Sequence, residues 1–176
     1  MKILKRLLIA IGLLIAVLVA IAFVLPNQFN VARSATINAP AEKIYPLIAT
    51  SRQWKNWTVW KQRDPNMKIE YAGPESGIGA KWSWESKSEG SGEMEFTSAE
   101  PNKSLGYRLL FKEFDTTSTG MLNLEPDGAA TKVTWSFVGE ADNNPMMRYM
   151  GLMMDGMIGK DFEAGLANLK ALAERP

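Results

Sequence analysis

The hydrophobic pattern is most pronounced close to the N-terminus. Residues 7–25 read LLIAIGLLIAVLVAIAFVL and contain no charged or polar side chain. At ~1.5 Å of rise per residue, a helix of this length spans roughly 28 Å, close to the ~30 Å hydrocarbon core of a bilayer. The pattern therefore predicts one transmembrane helix, with a membrane anchor at 1–27 and a folded domain at 28–176.

Basic residues flank this apolar segment on one side only. Lys2, Lys5 and Arg6 precede it, whereas residues 26–30, which follow it, carry no charge. The positive-inside rule then keeps the N-terminus in the cytoplasm and places the domain on the outer, periplasmic or extracytoplasmic side. A cleaved signal peptide is the alternative, because residues 20–22 form an A-x-A pattern. The apolar run continues past that site, which favours a retained anchor.

Beyond the anchor, hydrophobic and polar residues alternate with period two, as in strands that bury one face. Alternating segments occur at 29–37, 67–71, 80–85, 93–98, 107–112, 122–124 and 133–137. Short turns rich in Gly, Pro, Asn and Asp separate most of them, which favours an antiparallel meander with one apolar and one solvated face. The sequence thus predicts about six to seven strands.

Helical spacing appears in three places. Residues 41–50 follow Pro40 and repeat apolar side chains at helical intervals, and residues 54–60 place Trp at every third position. The last element follows Asn143-Asn144-Pro145, which supplies a cap residue and then a proline at the first helical position. It continues to about Glu174, so it is long enough to cross a whole sheet.

The amino-acid composition limits the catalytic and metal-binding chemistry that is available to the chain. The chain has no Cys and no His, which excludes disulfides, thiolate catalysis and histidine-based metal or acid–base sites. No catalytic set, metal site or cofactor motif is predicted. Without the three basic residues of the anchor, 17 Lys and Arg stand against 19 Asp and Glu, so no basic surface is expected to recruit nucleic acid.

Aromatic and methionine side chains form the most informative set. Six aromatic residues project from successive predicted strands: Trp82, Trp84, Phe96, Tyr107, Phe111 and Trp135. Four methionines occupy the first half of the predicted long helix: Met150, Met153, Met154 and Met157. Aromatic rings and adaptable thioethers suit a pocket for irregular apolar shapes, although a filled core would use the same residues. We predict these ten residues as the lining of a ligand cavity.

Several short segments carry a resemblance to a known family. They are residues 38–45 (NAPAEKIY), Trp54 and Trp57, residues 77–82 (GIGAKW), Gly90 and Gly92, residues 100–103 (EPNK), residues 131–135 (TKVTW) and residues 161–170 (DFEAGLANLK). In their order and spacing, over about 29–174, the chain resembles the START-like SRPBCC superfamily, within the group named for polyketide cyclases and dehydrases.

The resemblance implies an α+β helix-grip fold. In this fold a curved antiparallel sheet wraps around a long C-terminal helix, and many relatives hold a hydrophobic or lipidic ligand in a cavity between the two. It implies no particular reaction, because the superfamily includes carriers, co-chaperones, oxygenase domains and cyclases.

Three functional hypotheses follow. The leading one is a membrane-tethered domain that binds a lipid or other hydrophobic small molecule. The second is a cyclase, dehydratase or hydrolase that uses Asp155 or Tyr107 as acid or base. The third is an envelope module that binds an unspecified protein partner through an exposed aromatic patch formed by Trp54, Trp57 and Trp60.

Overall fold

The computed structural model describes residues 2–113, 116–141 and 144–175. An N-terminal helix precedes an α+β domain whose first strand leads into short helical segments, then six further strands and a long final helix. The helices are α1 (Lys2–Ala22), α2 (Ala41–Ala49), α3 (Trp54–Trp57), α4 (Trp60–Arg63) and α5 (Pro145–Ala173). The strands are β1 (Gln28–Ile37), β2 (Lys68–Ala72), β3 (Lys81–Glu85), β4 (Ser91–Glu100), β5 (Ser104–Phe111), β6 (Thr116–Asp127) and β7 (Ala130–Glu140).

The seven strands form one curved antiparallel sheet in the order β1-β7-β6-β5-β4-β3-β2. Strands β2 to β7 are a meander, and β1 pairs along β7 from Gln28 opposite Glu140 to Ile37 opposite Thr131. The predicted fold class is therefore confirmed, including the number of strands and the long C-terminal helix. The period-two pattern located the strands correctly because each strand buries only one of its faces.

Helix α5 packs on the concave side of the sheet. Asn144 caps it, since the side-chain oxygen of Asn144 accepts hydrogen bonds from the amides of Met146 and Met147; Asn143 lies outside the described residues. In its second half the helix buries Phe162, Leu166, Leu169 and Ala173. Close packing also needs Gly165, where a Cβ atom would lie 2.9 Å from the Trp135 ring.

The two tryptophans of α3 stabilise the fold through buried hydrogen bonds. The Trp54 indole donates to the carbonyl of Ile48 at 2.7 Å, and the Trp57 indole donates to the carbonyl of Leu47 at 3.1 Å. These carbonyls belong to the last turn of α2, which has no helical partners for them. Trp54 is 2% exposed and Trp57 is fully buried. The hypothesis of an exposed aromatic patch is therefore wrong, because these two indoles point inward and donate hydrogen bonds to the free carbonyls at the end of α2.

Helix α1 starts ahead of the predicted segment 7–25 and stops at Ala22, before the segment ends. Apart from the buried Ala22, its side chains are exposed on every side. Within the described part of the chain it is the one helix long and apolar enough to cross a membrane, although a signal sequence has the same properties. Membrane insertion therefore stays a prediction at this stage.

Candidate functional site

An apolar cavity of about 210 Å³ lies between the sheet and the helical segments. Strands β2 to β5 form its floor, α3 and α4 form its cover, and the middle of α5 closes one side. Its apolar wall consists of Trp54, Trp60, Met67, Ile69, Tyr71, Trp82, Trp84, Met94, Tyr107, Leu109, Phe111, Phe137, Ile158 and Phe162. Such a lining, with few polar groups, is typical of sites for small hydrophobic molecules.

Four of the six predicted aromatic residues lie in this wall: Trp82, Trp84, Tyr107 and Phe111. The other two, Phe96 and Trp135, are fully buried behind it. Phe96 packs against the rings of Trp54 and Trp82, with centroids 5.7 and 5.6 Å away. Trp135 stacks on Phe162 of α5 at 3.8 Å, so its ring fills the space between sheet and helix and does not border the cavity.

The four predicted methionines are not in the wall. Met153 and Met157 are 64% and 61% exposed, while Met150 and Met154 are half-buried outside the cavity. The cause is the orientation of α5. The first half of the helix packs against β1 at Gly151, where a Cβ atom would lie 3.2 Å from Phe29. That contact turns the methionine side of the helix outward, so the prediction that these side chains line the cavity is corrected.

Other residues of the wall were missed. Ile69 and Tyr71 of β2 are paired opposite Trp84 and Trp82 of β3, and Leu109 lies on the same face of β5 as Tyr107 and Phe111. Strand parity therefore contained the signal. Trp54 and Trp60, which the third hypothesis places in an exposed patch, also belong to the wall. The methionines of the wall are Met94, within β4, and Met67, just before β2; neither lies on the long helix.

Glycines in neighbouring strands hold the cavity open. Trp84 of β3 is directly opposite Gly92 of β4, and Tyr107 of β5 is directly opposite Gly120 of β6. At both glycines a Cβ atom would overlap the opposite aromatic ring. The rings therefore lie down over the neighbouring strand, which only glycine permits, and do not fill the concave side.

Tyr107 is poorly suited to acid–base chemistry. Its hydroxyl oxygen accepts a hydrogen bond from the Trp135 indole at 2.8 Å, and the hydroxyl donates to the carbonyl of Ser136 at 3.4 Å. Burial raises the pKa of Tyr107 far above its ordinary value, and the indole hydrogen bond offsets this only in part. The phenol therefore stays protonated at any physiological pH and acts as a structural hydrogen-bonding group.

Asp155 does not reach the cavity. Its carboxylate forms an ion pair with Arg33 of β1 at 2.8 Å, on the exterior of the domain. The Arg33 guanidinium holds the pKa of Asp155 below its ordinary value. Arg33 also pairs with Glu163 at 2.6 Å, so both carboxylates attach α5 to β1. The position contradicts the hypothesis that Asp155 acts on a cavity-bound substrate.

The mouth of the cavity carries charged residues. Arg63, at the end of α4, forms ion pairs with Glu89 of the β3–β4 turn at 2.7 Å and with Asp161 of α5 at 2.6 Å. Asp161 also accepts a hydrogen bond from the Trp60 indole at 3.0 Å. This set, here called the Arg63 bridge, ties three separate segments together across the cavity. Ser51, Lys55, Thr58 and Lys61 complete the polar part of the cavity lining.

Replacing Arg63 by alanine should loosen the mouth. Glu89 and Asp161 would then face each other with no shared cation, and α4 would lose its attachment to α5. A contribution of about 1 kcal/mol, as for partly exposed ion pairs, corresponds to about fivefold faster release of a bound probe. Stopped-flow displacement measures that rate.

Arg108→Ala is the matched control for this prediction. It removes a pair of similar exposure, between Arg108 and Glu95 at 2.7 Å, on the solvent face of the sheet. Equal release rates in Arg63→Ala and Arg108→Ala would show that the bridge does not restrain the mouth.

Residues 28–174 match the model of the family described as polyketide cyclase / dehydrase and lipid transport. The chain belongs to this family. The match confirms the resemblance drawn from the sequence motifs. A comparison with curated proteins gave no significant match.

Solved structures share the fold at low sequence identity. Protein MLL2253 from Mesorhizobium loti is 19% identical with a TM-score of 0.59, over 83% of this chain and 97% of its own. An uncharacterized protein from Rhizobium leguminosarum is 15% identical with a TM-score of 0.63, over 85% and 96%. The Aha1 dimer from Colwellia psychrerythraea is 19% identical with a TM-score of 0.55, over 82% and 96%. These similarities establish the helix-grip architecture of the family member and not its ligand.

Proposed function

We propose that this domain binds a hydrophobic small molecule in the cavity between sheet and helix, and that α1 tethers it to a membrane. The observation that carries the proposal is the apolar cavity itself, in a member of a family described by cyclase, dehydrase and lipid transport activities. Among the described residues, the carboxylates that border the cavity are Glu89 and Asp161, and Arg63 engages both. No covalent step is needed to explain the arrangement.

The size of the cavity restricts the ligand. An apolar cavity of about 150 Å³ is enough to hold benzene. At about 210 Å³, this one suits a molecule of one or two rings or a single short acyl chain, and it is too small for a lipid with two long chains. Within the described structure Lys55 has no ion-pair partner and lies at the mouth. We therefore favour a ligand with an apolar body and an anionic end, such as a short fatty acid.

The tether is proposed from the surface of α1. Leu8, Leu13 and Ile15 are each more than half exposed, and the exposed apolar surface surrounds the helix. In water such a surface is strongly unfavourable, whereas the hydrocarbon core of a bilayer accommodates it. The basic residues at the start of α1 support a cytoplasmic N-terminus and an outward-facing domain. Export followed by signal cleavage is the competing proposal, and the mass of the mature chain distinguishes the two.

Native mass spectrometry of the detergent-extracted, full-length chain tests the binding proposal. We expect saturable adducts with alkanoates in a series from hexanoate to dodecanoate, with a cut-off in chain length set by the cavity. Brominated octanoate should also quench the tryptophans of the wall, and unbrominated octanoate should reverse the quenching. Octanol, which lacks the anionic end, should bind more weakly. The absence of saturable adducts across the series, together with unquenched fluorescence, would contradict the proposal.

A further inference from the structure

The first half of α5 carries an apolar stripe that the fold leaves uncovered. Met146, Met153 and Met157 are 72%, 64% and 61% exposed, and Met150 lies between them on the same side of the helix. Their spacing of three and four residues aligns them along one helix face. A long row of exposed thioethers is unusual for a surface in water, which indicates that something apolar covers it.

The helix cannot turn to bury this stripe. On its opposite side Gly151 packs against Phe29, and Asp155 is ion-paired with Arg33 of β1. Any rotation of α5 about its axis would break these contacts and withdraw Phe162 from Trp135. The stripe is therefore held on the outside of the domain.

A second, independent contact lies at the same end of α5. The Arg148 guanidinium donates hydrogen bonds to the carbonyls of Ala22, Phe23 and Leu25, at 3.3, 3.0 and 3.2 Å. The Tyr149 hydroxyl donates to the carbonyl of Leu18 at 2.7 Å. The three acceptors of Arg148 lie at or just after the C-terminal end of α1, where the helix dipole favours a cation, and Leu18 lies one turn earlier. The start of α5 is thus attached to the end of the proposed membrane helix.

We infer that residues 146–157 lie on the membrane surface, with the methionine stripe in the boundary between headgroups and acyl chains. This inference rests on the membrane tether of the proposed function. The Tyr149 contact with Leu18 lies about one turn before the end of α1 at Ala22, so a bilayer-spanning α1 would hold the start of α5 against the outer side of the membrane. Interfacial helices bury their apolar face by about 5–10 Å, and flexible methionine side chains adapt well to lipid.

This placement brings the cavity next to the bilayer. Ile158 and Asp161 of the cavity wall follow Met157 within one turn of α5. A ligand with an apolar body would then enter from the membrane with only a short path through water. Because the start of α5 is attached to the proposed membrane helix, we infer that the membrane surface, and not a second protein, covers the methionine stripe.

Because the chain contains no Cys, one introduced cysteine can be labelled at a single site. The variants are Met153→Cys on the stripe and Ala171→Cys, an exposed residue on the same helix face but ~27 Å further along α5. Leu14→Cys, in the middle of α1, reports the tether. Each variant of the full chain carries an environment-sensitive nitrobenzoxadiazole label and is reconstituted in vesicles of phosphatidylcholine and phosphatidylglycerol. Lipid with a shallow doxyl group and aqueous iodide serve as the two quenchers.

We expect the Met153 label to be quenched by the doxyl lipid, with iodide quenching several-fold weaker than at Ala171. The inference is overturned if the Met153 and Ala171 labels respond alike, or if the Met153 label is shielded from iodide without doxyl quenching, which would mean a protein cover. A Leu14 label in water would show failure of the tether itself. Octanoate binding, measured on the same samples, reports separately whether the cavity is functional.

Discussion

Replacing Trp135 by alanine is expected to remove about 3–5 kcal/mol from the free energy of unfolding of the domain. The Trp135 ring is fully buried and stacks on Phe162 at 3.8 Å with an interplanar angle of 5°. The rings of Trp54 and Trp57 meet it edge-on at 5.8 and 5.0 Å. No neighbouring side chain can fill the space that it leaves, because α5 is already held against β1.

Urea unfolding, followed by near-ultraviolet circular dichroism, measures the loss. Since domains of this size are stable by about 5–15 kcal/mol, a loss of about 3–5 kcal/mol removes a large share of the total and should lower the urea midpoint markedly. Trp135→Phe is the matched control, because it keeps an aromatic contact with Phe162. It loses the hydrogen bond to Tyr107, which should lower the free energy of unfolding by about 1 kcal/mol. Similar stabilities of the two variants would show that the stack does not join sheet and helix.

Trp135 illustrates which features of the fold can be predicted from the sequence and which cannot. Val133, Trp135 and Phe137 alternate with polar residues, so the buried face of β7 follows from local pattern alone. The role of the ring as the contact to α5 depends on Phe162 and Gly165, which are distant in sequence. Strand positions and burial could therefore be predicted, whereas the division of buried rings between core and cavity wall could not.

The methionines show a second limit of the same kind. Helix α5 has two apolar stripes on nearly opposite sides, one formed by Met146, Met150, Met153 and Met157 and the other by Ile158, Phe162, Leu166 and Leu169. Periodicity shows that both exist but does not show which one faces the sheet in each half of the helix. Three of the four glycines of α5, Gly151, Gly159 and Gly165, mark the side of close approach, whereas Gly156 faces open space. The orientation of the first half of the helix therefore follows from its close contacts with β1, which periodicity alone does not show.

The cavity could not be predicted from any single residue. It exists because Trp84 and Tyr107 lie over Gly92 and Gly120, and these pairs depend on the register of four strands. A shift of one residue in either pairing would move the glycine away from the ring and force the ring upward into the cavity. Composition and strand parity therefore predict which residues form the wall, whereas the strand register determines whether their rings leave a cavity between them.

Filling that space should strongly weaken ligand binding while leaving the fold intact. Leu109 is buried in the second half of β5 and borders the cavity. In Leu109→Trp the larger side chain should occupy the volume meant for the ligand, and the affinity for octanoate should fall more than tenfold, or about 1.4 kcal/mol. Overpacking a filled core costs about 1–3 kcal/mol, but here the added ring enters a void, so stability should be unchanged or higher.

The combination of lost binding and retained stability separates a ligand cavity from an ordinary core. If the interior were filled in solution, Leu109→Trp would be strongly destabilised, and its binding could not be distinguished from that of an unfolded chain. Ile78→Trp is the matched control, because Ile78 is 63% exposed on a turn away from the cavity and receives the same substitution. Octanoate titration and urea unfolding of both variants give the two quantities. Undiminished binding by a stable Leu109→Trp variant would place the ligand elsewhere, because no shape of the wall could then accommodate both the indole and an acyl chain.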